Sequence, residues 1–249
     1  MGRPLHKLHA PESSCKTVCV VGAGVSGLVS VRELLREGHQ VTIIEQRDGI
    51  GRQWLYDDGH GVQSSSIYAS LRLIAPREAM GFSDFPFYAK VVSDGDSRRF
   101  PSHREFLSGV TETEETFDAV VVANGHYSQP KLPAIDGMDT WRRQLHNQSY
   151  RVPDLFRDEV VVVVGCQESG KDIGLELTKV AHEVHLRINR PAVEAAEGIM
   201  GAGLGKALAK HANLYLHPQI DRLQADGRVV FADGSCVVAD MVIYCMGYS

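Results

Sequence analysis

Two glycine-rich turns are the parts of this sequence that could bind or convert a ligand. The first reads Gly22-Ala23-Gly24-Val25-Ser26-Gly27, and the second reads Gly165-Cys166-Gln167-Glu168-Ser169-Gly170. Each follows a run of β-branched apolar residues and precedes a segment whose apolar residues recur with the period of a helix. Such a turn places phosphate groups at a helix N-terminus, where unpaired backbone N–H groups and the helix dipole favour negative charge.

Each glycine of the first turn is expected to have its own role. Gly22 makes the tight turn, Gly24 lets the backbone approach a pyrophosphate, and Gly27 lets the helix pack closely on the strand. Glu45 ends the next apolar run, 23 residues after Gly22, where a carboxylate can accept hydrogen bonds from ribose hydroxyls. We therefore predict that the whole turn from Gly22 to Gly27 binds a dinucleotide together with Glu45.

The second turn comes within one residue of the phosphate-binding loop of nucleoside triphosphatases. It fits that pattern through Lys171 and fails at Asp172, where a hydroxyl group should reach Mg²⁺. A shift of 143 residues superimposes the first turn, its strand and its helix on the second. This internal repeat favours a second dinucleotide fold over a triphosphatase. Because Gln167 occupies the middle glycine position, the ligand is expected to lie farther from the backbone there.

The same offset indicates which nucleotide the second turn binds. Ile188 stands where the first unit has Glu45, and Arg187 and Arg190 lie beside it. A guanidinium suits the 2′-phosphate of NADP, so we predict NADP at this site, with two solvated arginines as the alternative interpretation. Two dinucleotide sites in one chain suggest hydride exchange between a flavin and a pyridine nucleotide, with FAD at the first turn.

Cysteine usage excludes one class of enzyme with this layout. Disulfide reductases need a redox-active cysteine pair after the first unit, and no cysteine occurs between Cys19 and Cys166. The chain has five cysteines, none at the spacing of metal ligands, so we predict reduced thiols and no metal. Its net charge of −5 offers no general attraction to nucleic acid or to an anionic membrane. The N-terminus lacks an apolar signal segment, so a cytoplasmic protein is expected.

The hydrophobic pattern predicts the elements that must position the two turns. The predicted strands are 17–21, 40–45, 117–124, 159–164 and 183–189, and the predicted helices are 28–37 and 171–181. Residues 223–246 alternate apolar runs with Asp-Gly turns, a pattern typical of a β-meander. The predicted fold class is α/β, with two Rossmann-like dinucleotide-binding domains.

Beyond the turns, the sequence resembles the flavin-containing monooxygenases, particularly the plant type that includes the glucosinolate S-oxygenases. The resemblance extends from Lys16 over essentially the whole chain. The residues that carry it are Gly22–Gly27, Gly49–Trp54, Tyr68–Arg72, Asp84–Phe87, Ala123–Tyr127, Gly165–Gly170 and Cys245–Tyr248.

The resemblance implies a complete reaction cycle for a monooxygenase of the N,N-dimethylaniline type. NADPH would reduce FAD, O₂ would add to the flavin, and the C4a-hydroperoxyflavin would oxygenate the sulfur or nitrogen of a small molecule. It also implies FAD contacts from Gln53 and Trp54. Such chemistry needs a dry, protected flavin more than acid–base side chains, so no catalytic residue is assigned. His103 and His126 are interpreted as loop or core residues.

The sequence departs from the family pattern at several positions. Arg52 replaces a glycine, Ile74 stands where the family commonly has an asparagine near the flavin, and Arg142 interrupts a further motif. Residues 108–115 bridge a region that is longer in the family. The predicted organisation is a disordered tail at 1–16, an incomplete FAD domain at 17–147, an NADP domain at 148–240 and a return strand toward the FAD domain at 241–249. The alternative function is a truncated, catalytically inactive dinucleotide-binding remnant.

Overall fold

The computed structural model describes residues 15–46, 50–54, 56, 66–73, 75–82, 117–127, 129–188 and 210–248. The described residues fall into two compact units. The first comprises those up to Trp54 together with Phe117–Gly125, and the second comprises the others. Both units combine parallel strands with helices, which confirms the predicted α/β fold. None of the described helices is long and apolar enough to cross a membrane.

A three-stranded parallel sheet and one long helix form the first unit. The elements are β1 (Thr17–Val21), α1 (Val25–Arg36), β2 (Gln40–Ile44) and β3 (Ala119–Val122). The strands lie in the order β2-β1-β3, so β1 is central, and its apolar β-branched residues suit a strand covered on both faces. Helix α1 packs on one face, where Val18 and Val20 are buried.

On the opposite face of this sheet Cys19 and Thr42 are buried, but β3 and the end of β2 leave apolar side chains exposed. In the register of the strands Ile44 and Val122 flank Val21, and these two side chains are 50% and 70% exposed. Val120 on the same face is 61% exposed. Parallel sheets normally bury both faces, so the first unit carries an uncovered apolar surface among its described residues.

Two sheets build the second unit. Five parallel strands lie in the order β4-β11-β5-β6-β7, and three antiparallel strands lie in the order β10-β9-β8. The strands are β4 (Gln144–His146), β5 (Val160–Val164), β6 (Glu183–Arg187), β7 (Leu214–His217), β8 (Ile220–Leu223), β9 (Arg228–Phe231), β10 (Cys236–Val238) and β11 (Met241–Tyr244). The helices are α2 (Arg77–Met80) and α3 (Glu168–Leu177).

Alternate residues of β5 enter two different cores. Val161 and Val163 pack with Ile173 and Leu177 of α3, on one face of the parallel sheet. Val162 and Val164 belong to a second core with residues of β8 and β9 on the other face. This two-sided burial explains why β5 is a continuous apolar run.

The observed elements differ from the expected ones in their bounds. Helix α3 begins at Glu168, three residues before the expected start, because the turn residues already belong to its first turn. Strand β11 lies between β4 and β5 in the second sheet, where we had expected a return strand toward the first domain. Its four residues are buried on both faces, which this central position satisfies. β4 also joins this sheet, although its residues were expected in the FAD domain.

Candidate dinucleotide sites

The first glycine turn leaves no room for side chains at two of its positions. Gly22 has a φ of +106°, and a Cβ atom on it would lie 2.5 Å from the carbonyl oxygen of Ala123. A Cβ on Gly27 would lie 1.8 Å from the carbonyl oxygen of Gly22. Both positions therefore require glycine, one for the tight turn and one for close packing of α1, as the sequence predicted.

The space beside Gly24 is open instead. A Cβ on Gly24 would meet no atom within 4 Å. Gly24 is the N-cap residue of α1 and provides no side-chain hydrogen bond to the helix, so backbone N–H groups of the first turn remain available. An uncapped helix N-terminus behind an open glycine fits the pyrophosphate of a dinucleotide.

The other predicted residues of the first site lie against the turn. Glu45 follows β2, and its Oε2 accepts a hydrogen bond of 2.8 Å from the backbone N–H of Ala23. The N–H of Gly51 donates to the carbonyl oxygen of Ala23 at 2.7 Å, which ties the following 3₁₀ turn to the same place. Gln53 and Trp54 lie half-buried in that turn. The side chain of Arg52 and all of Ile74 lie outside the described residues.

The second turn repeats the geometry of the first. Gly165 has a φ of +112°, and a Cβ on it would lie 2.4 Å from the carbonyl oxygen of Cys245. A Cβ on Gly170 would lie 1.8 Å from the carbonyl oxygen of Gly165, the same contact as between Gly27 and Gly22. Each turn thus lies against the residue that follows the neighbouring strand. The sequence repeat is also a structural repeat.

Two residues distinguish the second turn. Gln167 is the exposed N-cap residue of α3 and makes no side-chain capping bond, so this helix also has free N–H groups. Glu168 places a carboxylate in the first turn of α3. Cys166 and Ser169 are half-buried, and burial raises the pKa of the Cys166 thiol. The residues fit a dinucleotide, with more side chain near the ligand than in the first turn.

Arg187, the predicted ligand of the 2′-phosphate, is the last residue of β6. The guanidinium of Arg187 makes no hydrogen bond or ion pair with the residues that the structure describes, and burial lowers its pKa. Ile188, which follows it, is 4% exposed and belongs to the core. An unpaired, partly desolvated guanidinium is suited to an anionic ligand. Arg190 lies outside the described residues.

Two histidines beside Arg187 were not predicted as site residues. His185 Nδ1 lies 2.8 Å from His217 Nε2, and His185 Nε2 lies 3.0 Å from a carboxylate oxygen of Glu183. Burial lowers the pKa of His185 and lowers that of His217 to about 4. The pattern that could have indicated His185 is its position between Glu183 and Arg187, because alternate residues of a strand lie on one face of the sheet.

Helix α3 is held by two buried tyrosines, which explains the residue that broke the triphosphatase pattern. The Tyr68 hydroxyl donates a hydrogen bond to Asp172, and the Tyr150 hydroxyl donates one of 2.9 Å to Glu176. The two rings meet edge to face with centroids 5.5 Å apart. Burial raises the pKa of both hydroxyl groups, so they stay protonated. Asp172 thus anchors the helix rather than approaching phosphates.

We expect Asp172→Ala to lower the free energy of unfolding by about 2 kcal/mol, because it leaves the buried Tyr68 hydroxyl without its partner. Tyr68→Phe should cost less, about 1 kcal/mol, since the exposed Asp172 regains water. Adding Tyr68→Phe to Asp172→Ala should therefore restore stability. Denaturant unfolding of the three variants checks this, with Tyr215→Phe as a control at an exposed tyrosine. Strictly additive losses would contradict the described hydrogen bond.

In the described part of the chain, no group of three or more histidine, cysteine, aspartate or glutamate side chains is placed to hold a metal ion.

Comparison with known proteins adds independent evidence. The sequence model of the family described as Pyridine nucleotide-disulphide oxidoreductase matches residues 16–249. A curated relative from Arabidopsis thaliana, flavin-containing monooxygenase FMO GS-OX-like 8, is 48% identical over 296 residues, covering 95% of this chain and 62% of the relative. Flavin-containing monooxygenase FMO GS-OX-like 9 of the same plant is 46% identical, with coverages of 96% and 64%.

Among solved structures, S-allyl-L-cysteine S-oxygenase from Allium sativum matches with a TM-score of 0.78 and 35% identity, covering 94% of this chain and 63% of that one. These matches confirm the resemblance predicted from the sequence. The chain spans less than two thirds of the length of these relatives. One alignment covers 296 residues, more than the 249 of this chain, so that relative has internal residues without a counterpart here.

Proposed function

We propose a function from the following premise: the chain belongs to the pyridine nucleotide-disulphide oxidoreductase family, and its relatives include plant flavin-containing monooxygenases. This membership implies FAD and NADPH as cofactors. We infer that the protein uses NADPH and O₂ to oxygenate a soft nucleophilic atom, sulfur or nitrogen, of a small molecule. The absence of cysteines between Cys19 and Cys166 argues against disulfide reduction within this family.

The observation that supports this proposal most is the pair of matched turns in one chain. In the proposal Gly22–Gly27 would hold FAD, and the open space at Gly24 would admit its pyrophosphate. Glu45 would accept hydrogen bonds from ribose hydroxyls, and Gln53 and Trp54 would contact the flavin nucleotide. Gly165–Gly170 would hold NADP(H), with Arg187 and Arg190 as the predicted ligands of its 2′-phosphate.

Bound FAD, once reduced, supplies the chemistry that activates O₂ for transfer of one oxygen atom. The chain's own residues hold and orient the two nucleotides. At the first turn, Glu45 already fixes the Ala23 N–H with one oxygen, which leaves its second oxygen for a ribose hydroxyl. No described side chain needs to act as a general base, since the nucleophile is the lone pair of the substrate.

Sulfur is the favoured acceptor atom. The structural neighbour with 35% identity is named as an S-oxygenase of S-allyl-L-cysteine, a thioether. Thioethers are soft nucleophiles and need no deprotonation before oxygen transfer. We therefore propose a small thioether as the substrate class.

The test uses purified protein and a small S-alkyl cysteine. We expect a bound-flavin absorbance spectrum, NADPH oxidation that the thioether stimulates, and a sulfoxide product detected by mass spectrometry. Protein that remains colourless after reconstitution with FAD would rule out the proposed activity. Bound flavin with no sulfoxide would instead support the alternative, an inactive dinucleotide-binding protein.

A further inference from the structure

The carboxyl ends of β6 and β7 bring one arginine and two histidines to the same place in the second unit. Arg187 and His217 are direct neighbours in the register of the two parallel strands, so their side chains leave the same face of the sheet. His185 lies on this face two residues before Arg187, with its Nδ1 2.8 Å from His217 Nε2. Glu183 follows at 3.0 Å from His185 Nε2.

The two hydrogen bonds among His217, His185 and Glu183 determine which ring nitrogens carry protons. The Glu183 carboxylate only accepts, so His185 must donate to it from Nε2. In neutral His185, Nδ1 is then an acceptor, and it must receive the Nε2 proton of His217. The remaining nitrogen of His217, Nδ1, therefore carries a free lone pair. The hydrogen bonds thus run from His217 through His185 to Glu183, and Nδ1 of His217 is the atom that can accept a further proton.

The surroundings keep His217 uncharged without a ligand. Phe231 of β9 stacks on its ring with centroids 3.9 Å apart, and Tyr215 of β7 stacks on His185 at 5.0 Å. Burial and the neighbouring His185 lower the pKa of His217 to about 4, against a weaker opposing effect of the Asp233 carboxylate. Near neutral pH Arg187 is thus the positive charge that the described residues of this corner offer to a ligand, beside the carboxylates of Glu183 and Asp233.

We propose that His217 is a second ligand of the 2′-phosphate of NADP(H). His217 takes up a proton at Nδ1 when the phosphate binds beside Arg187. This inference rests on NADP(H) binding as proposed above. A phosphate dianion within hydrogen-bond reach favours the charged form of an imidazole, which opposes the effect of burial. His185 and Glu183 hold the ring in the tautomer that can accept this proton. His217 takes this proton from solvent when the nucleotide binds and releases it to solvent when the nucleotide dissociates.

A measurable proton uptake follows from this arrangement. The sign is diagnostic, because a phosphate monoester titrates near pH 6 and would release protons when it binds to a fixed cation. Net uptake must therefore come from the protein. NADP⁺ affinity should rise as the pH is lowered from about 8 toward 6, because free His217 stays neutral over this range and the phosphate monoester is not yet protonated. NAD⁺, which lacks the phosphate, should show neither effect.

The experiment is isothermal titration of the full chain with NADP⁺ and with NAD⁺, in buffers of different ionisation enthalpy at pH 7. We expect uptake of up to about one proton per NADP⁺ and none per NAD⁺. His217→Gln should abolish the uptake and weaken NADP⁺ binding about tenfold, as expected for one charge-assisted hydrogen bond. Glu183→Gln, which keeps the side chain's shape, should reduce the uptake.

His211→Gln is the matched control, because this histidine bonds Thr178 and precedes the amino end of β7. It should leave proton uptake unchanged. NADP⁺ binding without proton uptake would overturn the role of His217 and leave the proposed cofactor intact. Equal affinity for NADP⁺ and NAD⁺ would instead count against the NADP site itself.

Discussion

Gly27→Ala should unfold or strongly destabilise the first unit, and Gly170→Ala should do the same to the second. The added methyl group would lie 1.8 Å from a carbonyl oxygen in each case, Gly22 in one turn and Gly165 in the other. The obstacle is backbone at the end of a central strand, so the whole helix must move. We expect a loss of about 3 kcal/mol or more in the free energy of unfolding, measured by denaturant titration.

Gly24→Ala supplies the matched control within the same turn. Its Cβ would meet nothing within 4 Å, and the residue has a φ of −75° that any amino acid adopts. The stability cost should stay below about 1 kcal/mol, the effect of a poorer N-cap residue. The proposed FAD site predicts that this variant nevertheless retains less flavin. Unchanged flavin content would show that the pyrophosphate does not approach Gly24.

Arg187→Ala should weaken NADPH binding about ten- to a hundredfold and leave NADH binding nearly unchanged. The guanidinium has no partner among the described residues to stabilise, so its removal costs the fold little. A charge-assisted hydrogen bond to phosphate contributes roughly 1.5–3 kcal/mol, which corresponds to that range of affinity. Tryptophan fluorescence or calorimetric titration with both nucleotides measures the ratio.

Two further variants sharpen this test. Arg187→Lys keeps the charge and loses the planar fork of donors, so it should retain an intermediate preference for NADPH. Arg222→Ala removes an exposed arginine that pairs with Asp221 and should change neither affinity. If Arg187→Ala weakens both nucleotides equally, Arg187 does not read the 2′-phosphate.

Local sequence patterns were sufficient to predict the two turns. A strand, a glycine turn and a helix follow one another in the chain. The spacing of the glycines within the turn therefore determines which of them lie against backbone atoms. Gly22, Gly27 and their counterparts Gly165 and Gly170 could be assigned in this way. Glu45 was also placed correctly beside the turn, because the end of a parallel strand lies at the same sheet edge.

Contacts between distant residues could not be predicted in this way. Tyr68 and Asp172 are 104 positions apart, and His185 and His217 are 32 apart. Their pairing depends on strand order and loop paths, which leave no periodic signal in one sequence. The position of β11 was missed for the same reason, since an apolar run of four residues fits the centre of either sheet.

The exposed apolar side chains of the first sheet affect how unfolding experiments on this protein are interpreted. A unit with one helix and three strands loses less buried apolar surface on opening than a unit with two sheets and two cores. We therefore expect the two units to unfold in separate transitions. A single melting temperature would describe neither unit. A substitution should change the free energy of unfolding of the unit in which it lies. That change should be measured with a spectroscopic probe placed in the same unit.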